Sequence, residues 1–312
     1  MAKILDGKKL ARAIKTDVKK QVKTLNSIGV DVGLALLLVG ANPASVQYFQ
    51  ATIRTCKKVR ITAYEFRLPL TVSVNEILNA VHSINEDERI HGLLILMPLP
   101  SHINARRVIN AVSPEKDVDG LGAISVGRLA ADESTFQLFA SSPEIVKQHS
   151  HFMHSIWSFL PCTPFGVMRL LEHHKVSLKG KHAAVIGKSL AVGKPLATML
   201  LAKEATVSIC HRETSNLSHY TQHADILCTA TGKAGLIRGS MVKKGSVIVD
   251  IGISIAKNGS ITGDVDFESV SKQASMITPV PGGVGPVTIA MLLENTVRSA
   301  QRNELFKSPL MI

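Results

Sequence analysis

HAAVIGKSLAVGKPLATMLL, residues 182–201, is the stretch that decides the fold of this chain. Its first five residues form an apolar run that predicts a buried strand, Gly187 breaks that strand, and the apolar spacing from Pro195 onward predicts an amphipathic helix. A second strand is predicted at residues 206–210, at the distance typical of a β-α-β unit. The glycines of residues 182–201, at positions 187 and 193, depart from the G-x-G-x-x-G spacing. The stretch is therefore either a phosphate-binding turn or a tight structural turn.

The same alternation of strands and helices runs along the rest of the chain. Apolar runs predict strands at residues 33–40, 61–68, 92–96, 226–230 and 246–251. Apolar residues spaced by three and four predict helices at residues 8–25, 43–59, 73–84, 104–112, 167–174 and 287–302, with a turn at 161–166. This order predicts parallel sheets covered by helices, with ligand sites at the carboxyl ends of the strands.

The composition, 45% hydrophobic and 19% charged residues over 312 positions, predicts two globular domains. No apolar run approaches the ~18 residues of a membrane span, and the first residues lack the apolar core of a signal peptide. We therefore expect a cytoplasmic protein that has no membrane partner. The four cysteines include no C-x-x-C pair, which favours reduced thiols over disulfides or a zinc site.

The formal net charge is +12, and the distribution of that charge narrows the class of partner. Basic residues are spread over helices such as residues 8–23, and only 4% of the residues are aromatic, which argues against nucleic acid as a partner. Either an anionic cofactor or substrate, or a plain solvated surface, accounts for the charge.

Residues 130–157 are rich in Ser, Gln and His and lose the periodicity, which predicts a surface insertion or linker. His149, His151 and His154 lie in this segment. They lack the Cys or carboxylate partners that structural zinc requires, so we predict no metal site there.

Two polar clusters are candidates for ligand binding. Ser45, Tyr48 and Thr52 share one face of the second predicted helix, just beyond the carboxyl end of a strand. Tyr48 either packs on a flat ring or simply lies at the domain surface. Asp117 and Asp119, in the sequence EKDVDG, either accept hydrogen bonds from an amine-bearing ligand or form an Asx-type turn.

Ten ordered blocks of the sequence resemble those of the bifunctional methylenetetrahydrofolate dehydrogenase/cyclohydrolases. They are ILDGKKLA, VGANPASVQY, GLLILMPLP, SPEKDVDG, PCTPFG, AAVIGKSLAVGKP, ATVSICH, ADILCTATGK, ITGDVDF and ITPVPGGVGPVTIAML. The resemblance implies an α/β protein of two domains with a cleft between them. The first is an amino-terminal three-layer α/β folate domain at residues 1–158, completed by the last helix at 287–312, and the second is a Rossmann-like NADP-binding domain with a parallel sheet at 159–286. It also implies a tetrahydrofolate derivative as substrate and a homodimer.

The resemblance implies roles for individual residues on the substrate side. Tyr48 resembles the tyrosine that stacks on the folate, and Asp119 resembles the acid that holds the pterin ring. Further substrate contacts are implied for Ile95 and Met97 and for the loop of Pro281, Gly282, Gly283, Val284, Gly285 and Pro286.

On the cofactor side, Gly187, Lys188 and Ser189 resemble the turn that binds the cofactor phosphates, and Ile253 resembles the residue beside the nicotinamide. Lys188 stands where the family commonly has Arg, which keeps the charge but loses the bidentate geometry. Arg212 can meet a 2′-phosphate, whereas the Glu that follows it favours a free ribose hydroxyl. The implied cofactor is therefore NADP, with NAD left open.

Two positions depart from the family pattern: its catalytic Lys falls on Thr52 and its Gln falls on Leu96. Oxidation of the methylene bridge needs mainly the positioning of substrate and cofactor. Opening of the methenyl ring needs proton transfer, which neither Thr nor Leu provides near neutral pH. Arg54 points to another side of the helix and does not replace the Lys. We therefore predict a dehydrogenase whose cyclohydrolase step is weakened or lost.

Two alternatives stay open at this point. In one, the enzyme is fully bifunctional because another group replaces the Lys. In the other, the chain binds folate and nucleotide without turnover. Retention of Tyr48, Asp119 and the glycine turn is compatible with all three hypotheses, so only an assay of turnover separates them.

Overall fold

A computed structural model describes residues 2–131, 158–255 and 260–307 of the chain. These residues form two compact units. The three-stranded unit holds residues 13–131, 158–160 and 289–307, and the six-stranded unit holds residues 2–12, 161–255 and 260–288. No helix among these residues is long and apolar enough to cross a membrane.

The strands, in chain order, are β1 (Lys3–Ile4), β2 (Gly33–Val39), β3 (Thr62–Leu68), β4 (Gly92–Ile95), β5 (His182–Ile186), β6 (Thr206–Cys210), β7 (Ile226–Thr229), β8 (Val247–Asp250), β9 (Ser254–Ile255), β10 (Ile261–Thr262) and β11 (Met276–Ile277). The helices are α1 (Gly7–Ser27), α2 (Pro43–Val59), α3 (Val74–Glu86), α4 (Ala105–Ile109), α5 (Ala123–Ala131), α6 (Cys162–His173), α7 (Gly193–Leu201), α8 (Leu217–His223), α9 (Phe267–Ser271) and α10 (Val284–Lys307), with a short 3₁₀ turn at Gly239–Met241.

The three-stranded unit is organised around a parallel sheet with the strand order β3-β2-β4. The central strand β2 reads GLALLLV and is buried at all seven positions, as is typical of a strand with a neighbour on each side in a parallel sheet covered on both faces. The edge strand β3 carries exposed and half-buried residues. Leu37 pairs with Ile95 at the carboxyl ends of β2 and β4, so the segments that follow these two strands emerge at the same edge.

The six-stranded unit has a parallel sheet with the order β1-β11-β8-β7-β5-β6. The chain passes from β5 outward to β6 and then returns across β5 to β7. The order of the strands therefore reverses between β5 and β7, which is where doubly wound sheets bind their ligands. A separate antiparallel pair, β9 and β10, follows β8.

The fold class predicted from the sequence is confirmed, and helix α2 and strands β5 and β6 have the predicted bounds. Residues 161–166, predicted as a turn, belong instead to α6 from Cys162 onward. Pro164 stands in the first turn of this helix, where its missing N–H has no intrahelical partner to lose. Helix α10 likewise begins at Val284, three residues before the prediction.

The division into domains differs from the prediction at the amino terminus. Residues 2–12 were expected with the first domain but lie in the six-stranded unit, because Lys3 and Ile4 pair with Met276 and Ile277 at its edge. Strands of two residues are too short to show a period, so the sequence pattern gave no sign of this pairing. Of the predicted insertion, residues 130 and 131 end helix α5, and residues 132–157 lie outside the described residues.

Candidate functional site

The first turn of helix α2 is fixed to the segment that follows β4. Asn42 caps the helix through Oδ1, which accepts hydrogen bonds from the N–H groups of Ala44 (3.1 Å) and Ser45 (3.2 Å). Ser45 is buried, and its Oγ donates to the carbonyl oxygen of Met97 at 2.9 Å. Tyr48 follows one turn later on the same face, and its side chain is half-buried.

Thr52 lies inside the protein, one turn beyond Tyr48. Its exposed fraction is 0%, and its Oγ1 donates to the carbonyl oxygen of Tyr48 at 2.9 Å. The hydroxyl proton is thus engaged by the helix itself, as is common for Thr in helices. Cys56, a further turn along α2, is also buried, and burial raises its thiol pKa to about 12. Arg54 is exposed to solvent. Neither Cys56 nor Arg54, the nearest ionisable residues of α2, therefore places an ionised group at position 52.

The residues that end strand β4 divide into two classes by exposure. Ile95 packs in the hydrophobic core of the three-stranded unit, and Leu96 is only 2% exposed. Met97 is 41% exposed. Of these three positions, only Met97 offers substantial side-chain surface to a ligand, and Leu96 places an apolar group where the resemblance implies an amide.

Asp117 is buried, and its carboxylate collects hydrogen bonds from the loop that follows it. Its oxygens accept the N–H groups of Leu121 (3.1 Å) and Gly122 (2.9 Å) and the hydroxyl of Ser125 (2.6 Å). Burial raises the pKa of Asp117 to about 6, against the effect of these hydrogen bonds. Of the two alternatives for this acid, the structure favours the structural role, with main-chain donors four and five residues on rather than two as in an Asx-type turn. Asp119 lies in the middle of that loop and is half-buried.

Lys116 is buried as well, and it anchors the other side of the same loop. Its Nζ donates to the carbonyl oxygens of Ile84 (2.7 Å), Asn85 (2.7 Å) and Asp87 (2.8 Å). These carbonyls lie at the end of helix α3, where main-chain acceptors lack intrahelical donors. Burial lowers the pKa of Lys116. No pattern in the sequence marks this residue, since a lone Lys beside two acids resembles a solvated charge.

The geometry of the six-stranded unit explains the unusual glycine spacing after β5. Gly187 has φ +119°, and a Cβ built on it would lie 2.5 Å from the carbonyl oxygen of Ala230. A Cβ on Gly193 would run into the carbonyl oxygen of Gly187 itself. The turn therefore needs glycine at two places, one against the strand end of β7 and one against its own beginning.

Ser189 organises the residues between these glycines. Its Oγ accepts hydrogen bonds from the N–H groups of Val192 (3.2 Å) and Gly193 (3.4 Å) at the start of helix α7. Ser189 and Lys188 are both exposed. The turn thus presents a hydroxyl, a cationic side chain and a helix amino terminus, a combination that suits an anionic group such as a phosphate.

Two other predicted cofactor residues lie at the carboxyl ends of the strands of this unit. Arg212 follows β6, is 94% exposed on its side chain, and has its Nε 3.7 Å from Oε1 of Glu213. Ile253 follows β8 and is 55% exposed, which is unusual for an Ile. Next to it, Ser254 Oγ donates to the carbonyl oxygen of Gly232 at 2.9 Å, which links the loops after β8 and β7.

Asp264 and Asp250, two buried acids that the sequence analysis did not single out, hold these loops. Asp264 accepts hydrogen bonds from Thr229 Oγ1 (2.8 Å) and from the N–H groups of Thr231 (2.6 Å) and Lys233 (2.9 Å). Asp250 in turn accepts the N–H of Asp264 at 3.0 Å, and burial raises its pKa to about 6. The loop after β7, at the point where the strand order reverses, is therefore fixed by a buried carboxylate.

The predicted substrate loop at residues 281–286 packs on the amino-terminal segment of its own unit. The N–H of Gly7 donates to the carbonyl oxygen of Gly282 at 3.1 Å, and a Cβ on Gly7 would run into the carbonyl oxygen of Gly283. Gly282 has φ +116°. Val284, Gly285 and Pro286 form the first turn of α10 rather than a loop.

Within the described residues, no group of three or more His, Cys, Asp and Glu side chains could hold a metal ion. His149, His151 and His154 lie outside those residues. The four cysteines are free and buried.

Comparison with known proteins gives matches over nearly the whole chain. Residues 5–119 match the catalytic domain, and residues 161–304 the NAD(P)-binding domain, of the tetrahydrofolate dehydrogenase/cyclohydrolase family. The bifunctional protein FolD of Moorella thermoacetica is 45% identical over 301 residues, which cover 96% of this chain and 99% of the relative.

Solved structures agree with these sequence matches. The bifunctional FolD methylenetetrahydrofolate dehydrogenase/cyclohydrolase of Campylobacter jejuni is 43% identical, with a TM-score of 0.86 and coverage of 97% of this chain and 100% of its own. The enzyme of the same name from Trypanosoma brucei, solved in complex with NADP and an inhibitor, is 31% identical, with a TM-score of 0.86 and coverage of 97% and 98%.

Proposed function

Because the chain belongs to the tetrahydrofolate dehydrogenase/cyclohydrolase family, we propose that it oxidises 5,10-methylenetetrahydrofolate to 5,10-methenyltetrahydrofolate with NADP. We further propose that hydrolysis of the methenyl product to 10-formyltetrahydrofolate is weakened or lost. The burial of Thr52 and Leu96, neither of which ionises, carries this second part.

The two chemical steps make different demands on the protein. NADP, when bound, supplies the hydride acceptor, so the protein contributes mainly the position of the folate. Tyr48 would stack on the folate rings and Asp119 would hold the pterin amine. Ring opening needs in addition a group that moves protons, which is typically worth ~10²- to 10⁴-fold in rate. The hydroxyl of Thr52 already donates to Tyr48, and Leu96 has no polar atom.

The turn at residues 187–193 fits the phosphates of such a cofactor. Gly187 and Gly193 allow the close main-chain contacts of the turn, Lys188 adds positive charge, and Ser189 adds a hydroxyl. Arg212 would meet the 2′-phosphate of NADP, and Ile253 would contact the nicotinamide. The neighbouring Glu213 opposes a phosphate, so the preference for NADP over NAD rests on Arg212.

The assay measures both steps with the full-length chain. We expect NADPH formation that depends on methylenetetrahydrofolate, with accumulation of the methenyl product. Methenyl decay no faster than in buffer alone supports loss of the hydrolytic step, and faster decay that a substitution of Thr52 or Arg54 abolishes supports the fully bifunctional alternative. Binding of both ligands by calorimetry without NADPH formation would select the alternative without turnover.

A restoring double substitution, Thr52→Lys with Leu96→Gln, tests the division of labour. We expect it to accelerate methenyl hydrolysis at least ~10-fold and to change the hydride step by less than ~3-fold, because only hydrolysis lacks a proton-transferring group. Leu96→Met, which keeps the site apolar, is the matched control and should leave hydrolysis unchanged. Equal acceleration of both steps would contradict the proposal.

We also propose a homodimer, as the resemblance to the family implies. Light scattering of the purified chain over a range of concentrations measures the mass directly, and a monomer at every concentration would contradict this expectation.

A further inference from the structure

We propose that Asp117 is a positioning residue: its buried carboxylate fixes the loop at residues 118–122 and thereby holds Asp119 in the orientation that binds the amine of the substrate ring. The inference rests on the proposed function only in the role given to Asp119.

The hydrogen bonds of Asp117 bracket Asp119 in the chain. The carboxylate accepts from Leu121, Gly122 and Ser125, all of which follow Asp119 in the chain. The carbonyl oxygen of Asp117 also accepts the N–H of Gly120 at 2.9 Å. The loop is therefore tied at both ends to one residue, and Asp119 lies at its middle.

Val118, the residue before Asp119, is held by both side-chain packing and a main-chain hydrogen bond. Val118 is 0% exposed, and a Cβ on Gly92 would lie 2.6 Å from Val118 Cγ2, so the side chain packs tightly on strand β4. The carbonyl oxygen of Val118 accepts a hydrogen bond from Asn295 Nδ2 at 2.9 Å. Asp119 thus stands between neighbours that leave its backbone little freedom.

A carboxylate is the side chain that this arrangement requires. Two N–H groups and one hydroxyl donate to Asp117, and a carboxylate accepts at both oxygens. An Asn in its place would keep one acceptor oxygen and turn an NH₂ group toward a donor. At least one loop contact would then be lost while the volume of the side chain stays the same.

Displacement of a binding group by about 1 Å can lower a rate by about 10²-fold. We expect Asp117→Asn to raise the KM for methylenetetrahydrofolate by about 10- to 100-fold and to leave the KM for NADP within about 2-fold of wild type. Ser125→Ala, which removes one of the three donors, should raise the folate KM by about 3-fold, as expected for one lost hydrogen bond.

A double substitution separates positioning from a general loss of structure. If Asp117 acts through Asp119, the variant Asp117→Asn with Asp119→Asn binds folate no more weakly than Asp119→Asn alone. The control is Thr296→Val, which removes a buried hydroxyl that donates to Leu292 within helix α10 of the same unit. It should leave both KM values unchanged.

Additive effects of the two substitutions, or an equal rise in both KM values, would overturn the inference. If Asp117→Asn does not fold, Ser125→Ala tests the inference instead. An unchanged folate KM in Ser125→Ala is then sufficient to reject the positioning role of Asp117. A wild-type chain that binds methylenetetrahydrofolate without turnover would refute the proposed activity alone. The same comparison is then made with dissociation constants from calorimetry, and a wild-type chain that does not bind the folate refutes both.

Discussion

The two units of this molecule treat their proposed reactive positions in opposite ways. In the six-stranded unit, Lys188 and Ser189 are exposed on a turn whose glycines are required by close main-chain contacts. In the three-stranded unit, Thr52 and Leu96 are buried and carry no ionisable group. The first arrangement offers a surface that suits an anionic group, whereas the second places no ionisable side chain at positions 52 and 96. A chain of this kind is suited to a reaction that depends on positioning.

The two units also share a structural feature, a loop that is fixed by a buried carboxylate. Each fixes a loop with a buried carboxylate that accepts three hydrogen bonds: Asp117 holds the loop around Asp119, and Asp264 holds the loop after β7. The proposed loss of proton transfer at Thr52 and Leu96 is therefore local, since the loop around Asp119 is as fully bonded as the loop after β7.

The largest effect is expected at the glycine turn of residues 187–193. Gly187→Ala places a Cβ 2.5 Å from the carbonyl oxygen of Ala230 at a φ that other residues rarely adopt. We expect NADP affinity to fall at least ~100-fold and the free energy of unfolding to fall by about 2–4 kcal/mol. Calorimetry and urea unfolding measure the two quantities. Gly127→Ala, in helix α5 with open space around the new Cβ, is the control and should be neutral or slightly stabilising. Unchanged NADP affinity in Gly187→Ala would contradict the assignment of this turn.

In the three-stranded unit, the comparable test is Lys116→Met. This substitution keeps an unbranched side chain as far as Cε but leaves three main-chain carbonyls at the end of α3 without their donor. We expect the free energy of unfolding to fall by about 2–4 kcal/mol, as measured by urea unfolding. Lys19→Met, at an exposed position of α1, is the control and should change it by less than ~0.5 kcal/mol. A small effect at Lys116 would mean that the loop around Asp119 has another anchor.

The sequence was sufficient for the elements with a strong period, and insufficient for those defined by distant contacts. Helix α2 has its Asn-Pro start and a regular apolar face, so its bounds at residues 43–59 could be predicted. The edge strand at residues 3–4 and its neighbour at residues 276–277 have only two residues each, and their pairing joins parts of the chain more than 270 residues apart. No local pattern records such a contact.

The candidate site shows the same limit. The glycine turn was visible because glycine itself marks an unusual backbone. The roles of Asp117 and Asp264 could not be predicted, because the sequence does not distinguish an Asp that accepts main-chain hydrogen bonds from an Asp that binds a ligand. Only the geometry shows that Asp117, of the two acids in EKDVDG, accepts hydrogen bonds from its own loop.

The pH dependence of the free energy of unfolding should be similar for the buried acids of the two units. The pKa values of Asp117 and Asp250 are raised to about 6 from 3.8 by burial. An acid with a raised folded pKa contributes stability below its unfolded pKa and loses it as pH rises through its folded pKa. We expect the difference in unfolding free energy, wild type minus Asp250→Asn, to fall by about 2 kcal/mol from pH 4 to pH 6 and then to level off.

Asp117→Asn should give a curve of the same sign, because burial is the largest cause of both shifts. Asp87 is the control and should give a curve of the opposite sign. Hydrogen bonding by Arg89 lowers the pKa of Asp87 to about 2, so the contribution of Asp87 to the free energy of unfolding is lost as pH falls toward 2. Urea unfolding at a series of pH values supplies the curves. A difference that rises between pH 4 and pH 6 would show that hydrogen bonds, and not burial, dominate at these acids.

The smallest effect is expected at Thr52. Thr52→Val is close to isosteric and removes a hydroxyl whose hydrogen bond goes to the carbonyl oxygen of Tyr48 in the same helix. Since that bond only competes with the helix's own pattern, we expect a change below ~1 kcal/mol in unfolding free energy and below ~2-fold in NADPH formation. Thr52→Ser, which keeps the hydroxyl, is the matched control. If Thr52→Val slows methenyl hydrolysis ~10-fold while Thr52→Ser does not, this hydroxyl takes part in the second step, and the contrast between the two units would have to be withdrawn.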